Sequence, residues 1–177
     1  TKLAEEYKDT PGLLFYLLGN ENNYGLFWQG AETEEFPDDD EKKAVIGESR
    51  GRPMYRLMNE AALAMKAIDP NRPVGLCNGD VLFIDIIAEE CPDVDIYGAN
   101  TYRGVSFGDF FDVVKQKTDM ALVYTEFGAD AYNAKEQRED QKAQAYYYLG
   151  NWIEFYQNAS SVGGAGYSIG GVTVQFS

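Results

Sequence analysis

Five short apolar runs, separated by stretches with helical spacing, leave few folds open to this chain. The runs are Leu13 to Leu18, Arg72 to Cys77, Asp93 to Ala99, Met120 to Tyr124 and Gly171 to Phe176. Between them, residues 53 to 68 (PMYRLMNEAALAMKAI) carry apolar side chains at helical positions, with Pro53 acceptable in a first turn and Asp69-Pro70 as the stop. Further helices are expected over about 81–90, 107–117 and 135–156, and residues 1–8 read as the tail of another. Strands alternating with helices imply βαβ units and a parallel sheet. The first run, bounded by Pro11-Gly12 and Gly19, has the uninterrupted apolar character of a strand buried on both faces.

Polar residues cluster where the runs end. Asn20 and Glu21 follow the first, Asn78-Gly79-Asp80 the second, Asn100-Thr101-Tyr102 the third and Thr125-Glu126-Phe127-Gly128 the fourth. In parallel α/β folds the carboxyl ends of the strands carry the chemistry. Glu21 and Glu126 lie 105 residues apart, which is three βα repeats of 35, so both leave the same edge of the sheet. Two carboxyls facing each other across such a mouth suit retaining glycoside hydrolysis. That reaction needs them about 5 to 5.5 Å apart, one protonating the leaving oxygen and the other attacking the anomeric carbon.

Composition narrows the alternatives. The formal net charge is −14 with only 15 Lys and Arg, which argues against nucleic acid, because phosphate binding needs clustered cations. The chain has no histidine, which removes Ser-His-Asp and Cys-His systems and His-ligated metals from consideration within it. Cys77 and Cys91 are too few and too far apart for a zinc motif or a disulfide framework and read as buried thiols. No apolar run approaches the roughly 20 residues of a membrane span, and the N-terminus lacks the pattern of a signal peptide, so the chain reads as soluble and free of membrane. The acidic run Glu32 to Glu41 (ETEEFPDDDE) reads as a solvated loop face without EF-hand spacing.

The motifs Gly19-Asn20-Glu21, Asn100-Thr101-Tyr102 and Tyr124-Thr125-Glu126-Phe127-Gly128, in this order on successive strand ends, resemble those of glycoside hydrolase family 2. That family holds β-galactosidases, β-glucuronidases and β-mannosidases. The resemblance covers nearly the whole chain. It implies a (β/α)8 TIM barrel of which this chain supplies roughly the fourth to eighth βα units. Residues 1–177 are then a single partial catalytic barrel domain, with the first three units and the preceding β-sandwich domains outside it. It further implies an exo-acting retaining β-glycosidase with a carbohydrate substrate and no cofactor, with Glu126 as nucleophile and Glu21 as general acid/base. Asn20 and Asn100 would bind sugar hydroxyls, and Tyr102 would donate a hydrogen bond to Glu126.

Other residues carry weaker expectations. Tyr24, Phe27 and Trp28 lie on the loop after the acid/base residue, and Trp28 is expected either to wall the sugar site or to pack under that loop. Tyr132, Asn133, Asp80 and Arg103 are lesser candidates, although an arginine at a loop start commonly pairs with a nearby carboxylate. The last strand, GVTVQFS, has no tryptophan where family 2 usually offers one, which leaves the sugar preference open. Two rival readings are a non-catalytic carbohydrate-binding or scaffold barrel and a magnesium-dependent barrel enzyme. An incomplete barrel exposes sheet edges, so the isolated chain is expected to be weakly stable, to self-associate through them or to be inactive.

Overall fold

A computed structural model describes residues 1–27, 39–161 and 166–173. Its centre is a five-stranded, all-parallel sheet in sequential order, built from β1 (Tyr16–Leu18), β2 (Val74–Gly79), β3 (Ile96–Asn100), β4 (Ala121–Phe127) and β7 (Ser168–Thr173). Helix α1 (Lys2–Tyr7) precedes β1. The crossovers contain α2 (Asp40–Ile46) and α3 (Arg52–Lys66), then α4 (Ile84–Glu90), α5 (Phe110–Lys117) and α6 (Gln141–Gln157). A two-stranded hairpin, β5 (Tyr132–Asn133) and β6 (Arg138–Glu139), stands between β4 and α6. Among the described residues no helix is long and apolar enough to cross a membrane.

The pleat sorts the strand residues onto two faces. Tyr16, Val74, Leu76, Tyr97, Ala99, Leu122, Tyr124 and Phe127 join the helices in one buried core. Its densest part is aromatic, where Tyr124 lies 4.4 Å from Phe107 and 4.6 Å from Phe155 between ring centroids. The other face, which corresponds to a barrel interior, is built of smaller residues. A Cβ at Gly98 would stand 2.3 Å from the Leu76 carbonyl oxygen, so the close approach of the β2 backbone requires a glycine there.

The first strand is shorter and less buried than the apolar run suggests. Only Tyr16–Leu18 pairs, with β2 alone, and Leu14 and Leu17 are 74% and 39% exposed. An outer strand has one neighbour, so a fully apolar run there does not make it buried on both faces. The last helix starts at Gln141 rather than near residue 135, because local polar groups favour a turn first. The Asn133 side chain accepts hydrogen bonds from the Lys135 and Glu136 amides, and Asp140 caps α6 by accepting from the Ala143 amide. Upstream, the expected long connection contains a helix: the Asp39 carboxylate accepts from the Glu41 and Lys42 amides and starts α2, which runs through a π-helical turn at Gly47–Gly51 into α3. The remainder of the acidic run, residues 32–38, lies outside the described residues, as do Trp28 and the end of the last expected strand.

Candidate active site

The turn after β1 is tightly constrained. Gly19 has φ +71°, and a Cβ on it would meet Asn22 Oδ1 at 1.8 Å. That oxygen is fixed in turn by accepting the Asn20 amide hydrogen at 3.0 Å. Glu21 follows with φ +50°, a backbone state that non-glycine residues seldom adopt. Its amide donates to the Cys77 carbonyl at 3.0 Å, docking the turn on β2. Asn23, 1% exposed, completes the docking: its Nδ2 donates to the Gly79 carbonyl and its Oδ1 accepts the Gly79 amide, both at 2.9 Å. An asparagine side chain thus continues the ladder where strand pairing stops.

The β4 end carries a bulge. Ala99 pairs with Tyr124 but the next residue, Asn100, pairs with Glu126, so Thr125 and Glu126 together oppose one residue of β3. A bulge re-aims side chains. Here the Thr125 hydroxyl reaches Asn100 Oδ1 at 2.6 Å, while Glu126 accepts a hydrogen bond from the Tyr102 hydroxyl at 2.8 Å. Asn100 Nδ2 donates to Asn20 Oδ1 at 3.0 Å. Asn20, Asn100, Tyr102 and Glu126, expected together from the sequence, do converge at the strand ends, joined by Thr125 and Cys77, which the sequence did not single out.

Both glutamates act on this cluster electrostatically. The Tyr102 phenol is pushed well above its ordinary pKa, first by burial, then by its hydrogen bond to Glu126 and the charges of Glu126 and Glu21. The Cys77 thiol is also raised, chiefly by burial, with both carboxylate charges adding to it. Two separate groups therefore lie in the field of the same pair of carboxylates. A carboxylate that receives a phenol hydrogen bond, a second carboxylate nearby and an exposed amide on the same strand ends can bind a polyhydroxylated ligand and exchange protons with it.

The remaining candidates are occupied elsewhere. Arg103 grips Asp80 through Nη2 at 2.5 Å and Nε at 2.9 Å, and reaches Asp109 at 2.6 Å, tying the loop after β2 to the loop after β3. The common ion-pair role holds for both Asp80 and Arg103. Asn78 points into the core, accepting from the Tyr55 hydroxyl at 2.7 Å and donating to the Tyr97 hydroxyl at 3.1 Å. Phe27 is buried and stacks on Phe83 at 5.6 Å, and the Tyr24 ring occupies the space over Gly79. Tyr132 is exposed on the hairpin, beside a cleft of about 420 Å³ also lined by Asp130, Gln144 and Tyr147. A larger cleft, about 550 Å³, lies among Cys91, Asp95, Lys115 and Asp119, at the amino ends of β3 and β4 and away from both glutamates. Among the described residues no group of three or more His, Cys, Asp or Glu is arranged to hold a metal ion.

The solved structure of an agarase, AgWH50C, superposes on 99% of this chain with a TM-score of 0.61 at 16% identity. The endo-1,4-beta-D-mannanase of Thermotoga petrophila RKU-1, solved with maltose and glycerol, matches 97% of it with a TM-score of 0.51 at 14% identity. The fold is that of a TIM-barrel segment. The chain spans 31% of the agarase and 48% of the mannanase. Both neighbours are glycoside hydrolases. No protein-family model and no curated protein matches the chain, and these two neighbours are not the β-galactosidases, β-glucuronidases or β-mannosidases that the motifs resemble.

Proposed function

We propose that this chain carries the catalytic end of a retaining, exo-acting β-glycosidase related to family 2, with Glu126 as nucleophile and Glu21 as general acid/base. The observation that carries the reading is the 2.8 Å hydrogen bond from Tyr102 to Glu126, made at a strand-end cluster that also holds Asn20 and Asn100. A carboxylate oriented by a phenol is aimed for attack, and its partner bond offsets the cost of holding the charge.

In the first step Glu126 forms a bond to the anomeric carbon while the glycosidic bond breaks and Glu21 transfers its proton to the departing oxygen. In the second, Glu21 takes a proton from water, whose oxygen attacks the same carbon and releases Glu126. Asn20 holds a hydroxyl of the sugar, and Asn100, buried and bonded at both ends of its amide, aligns Asn20 from behind. The substrate is a carbohydrate, and no cofactor takes part. Residues 1–177 form one partial catalytic domain, completed by further βα units of the polypeptide.

Azide tests the assignment. Glu21→Ala should slow hydrolysis of an aryl β-glycoside by about 10²- to 10⁴-fold, the usual worth of a general acid/base. Azide needs no base, so its addition should restore turnover and yield the β-glycosyl azide. An α-azide, or no rescue of a variant whose parent hydrolyses the glycoside, contradicts the assignment.

A further inference from the structure

Cys77 stands at the centre of the amide cluster. Its sulfur lies 3.2 Å from Asn20 Oδ1, 3.3 Å from Asn100 Oδ1 and 3.1 Å from Thr125 Oγ1. One thiol proton serves one acceptor, and because Asn100 Oδ1 already accepts from the Thr125 hydroxyl, the acceptor left for the thiol among the two amides is Asn20 Oδ1. A neutral thiol is a weak acceptor but has a proton to give, so carbonyl oxygens belong next to it and NH2 groups do not. Burial at 6% exposure and the two nearby carboxylates both favour the neutral thiol.

Thr125 enforces the same direction. Its hydroxyl donates to Asn100 Oδ1 at 2.6 Å, which leaves Asn100 Nδ2 to donate to Asn20 Oδ1 at 3.0 Å. Asn100 is 2% exposed and its amide is used at both ends. Asn20 is exposed, its oxygen is taken and its NH2 remains.

We infer that Cys77 and Thr125 are positioning residues that hold both amides with their oxygens inward, so that Asn20 meets the substrate as a hydrogen-bond donor. This rests on the proposed role of Asn20 at the sugar. The site then takes a sugar that presents an acceptor oxygen beside the reacting carbon. A group that offers only donors there, such as an ammonium, is disfavoured because two sets of donors face each other.

The test combines enzyme and substrate changes in the full chain. Thr125→Val keeps the shape and removes the hydroxyl, whereas Thr125→Ser keeps the hydroxyl. On an aryl β-glycoside with a hydroxyl next to the anomeric carbon, Thr125→Val should lower kcat/KM about tenfold, the effect of one hydrogen bond, and Thr125→Ser should recover most of it. On the matching 2-deoxy glycoside the two variants should equal the parent. Equal losses on both glycosides, or a serine variant as poor as the valine, overturn the inference. A second measurement does not need turnover: the S–H stretching band of Cys77, identified by its disappearance in Cys77→Ser, should sit at the position of a hydrogen-bonded thiol at neutral pH. A free-thiol position, no band, or a hydrogen-bonded position that is lost in Thr125→Val, which removes the other acceptor near the sulfur, overturns the amide direction. If the parent hydrolyses neither glycoside, the proposed function fails and the band alone decides the orientation.

Discussion

Tyr102 is 52% exposed, yet its hydroxyl is committed to Glu126. Its raised pKa keeps the phenol protonated beyond the ordinary 10.0, so the donor persists through the neutral and mildly alkaline range. Tyr102→Phe removes a hydrogen bond to a charged group, worth about 1.5 to 3 kcal/mol. The variant should lose about ten- to a hundredfold in kcat/KM, with the alkaline side of its pH profile unchanged up to about pH 9. A rate equal to the parent's would show that the bond does not serve the reaction. At this scale the sequence was readable where a breaker marks a strand end, as Gly19 marks Asn20 and Glu21. It was not readable for Thr125, Cys77 and Asn23. Thr125 depends on a bulge that no residue type announces, and Cys77 looks like any buried thiol until the register places it between two asparagines. The role of Asn23 appears only when its loop meets β2.

Elements show the same division. Existence and order of the central strands and helices followed from apolar spacing, while boundaries moved wherever side chains compete with the backbone, as at Asn133 and Asp140. Nor could spacing reveal that α3 and α4 are clamped by charge. Arg52 bonds Glu48, Glu89 and Glu90 at 2.7 to 2.8 Å, and Arg56 reaches Glu90 at 3.0 Å. The hydrogen bonds from Arg56 and Arg52 lower Glu90 from 4.5 to about 2. A carboxyl with a depressed folded-state pKa stabilises the fold above its unfolded value and loses that contribution as pH falls through the folded one. Acid titration of the parent should therefore show stability falling between pH 4.5 and about 2, and Glu90→Gln should flatten that limb while sparing the neutral range. An unchanged acid limb in the variant, measured by urea unfolding at each pH, would place the sensitivity elsewhere.

For the whole molecule the governing fact is an open sheet. Strands β1 and β7 are its two ends, with Leu14 and Leu17 exposed at one and Ile169 and Val172 at the other. Helix α6 adds exposed Tyr146, Leu149, Ile153 and Tyr156. Among the described residues no strand pairs with the outer sides of β1 and β7, and such edges and apolar patches favour association, whereas a net charge of −14 opposes contact between copies. Salt screens that repulsion within about 10 Å at 0.1 M. Sedimentation of the 177-residue chain should then show self-association that strengthens from low salt to about 0.5 M. A compact monomer under both conditions would mean that these edges are covered within one chain.

The central claim is that Glu126 attacks the anomeric carbon. A 2-deoxy-2-fluoro β-glycoside with a good leaving group slows the second step and lets the glycosyl–enzyme ester accumulate. Mass spectrometry of the digested protein should find one fluorosugar on the peptide that contains Glu126, and no label in Glu126→Gln. A label on Glu21, or steady turnover to an inverted product with no label at all, would contradict the account.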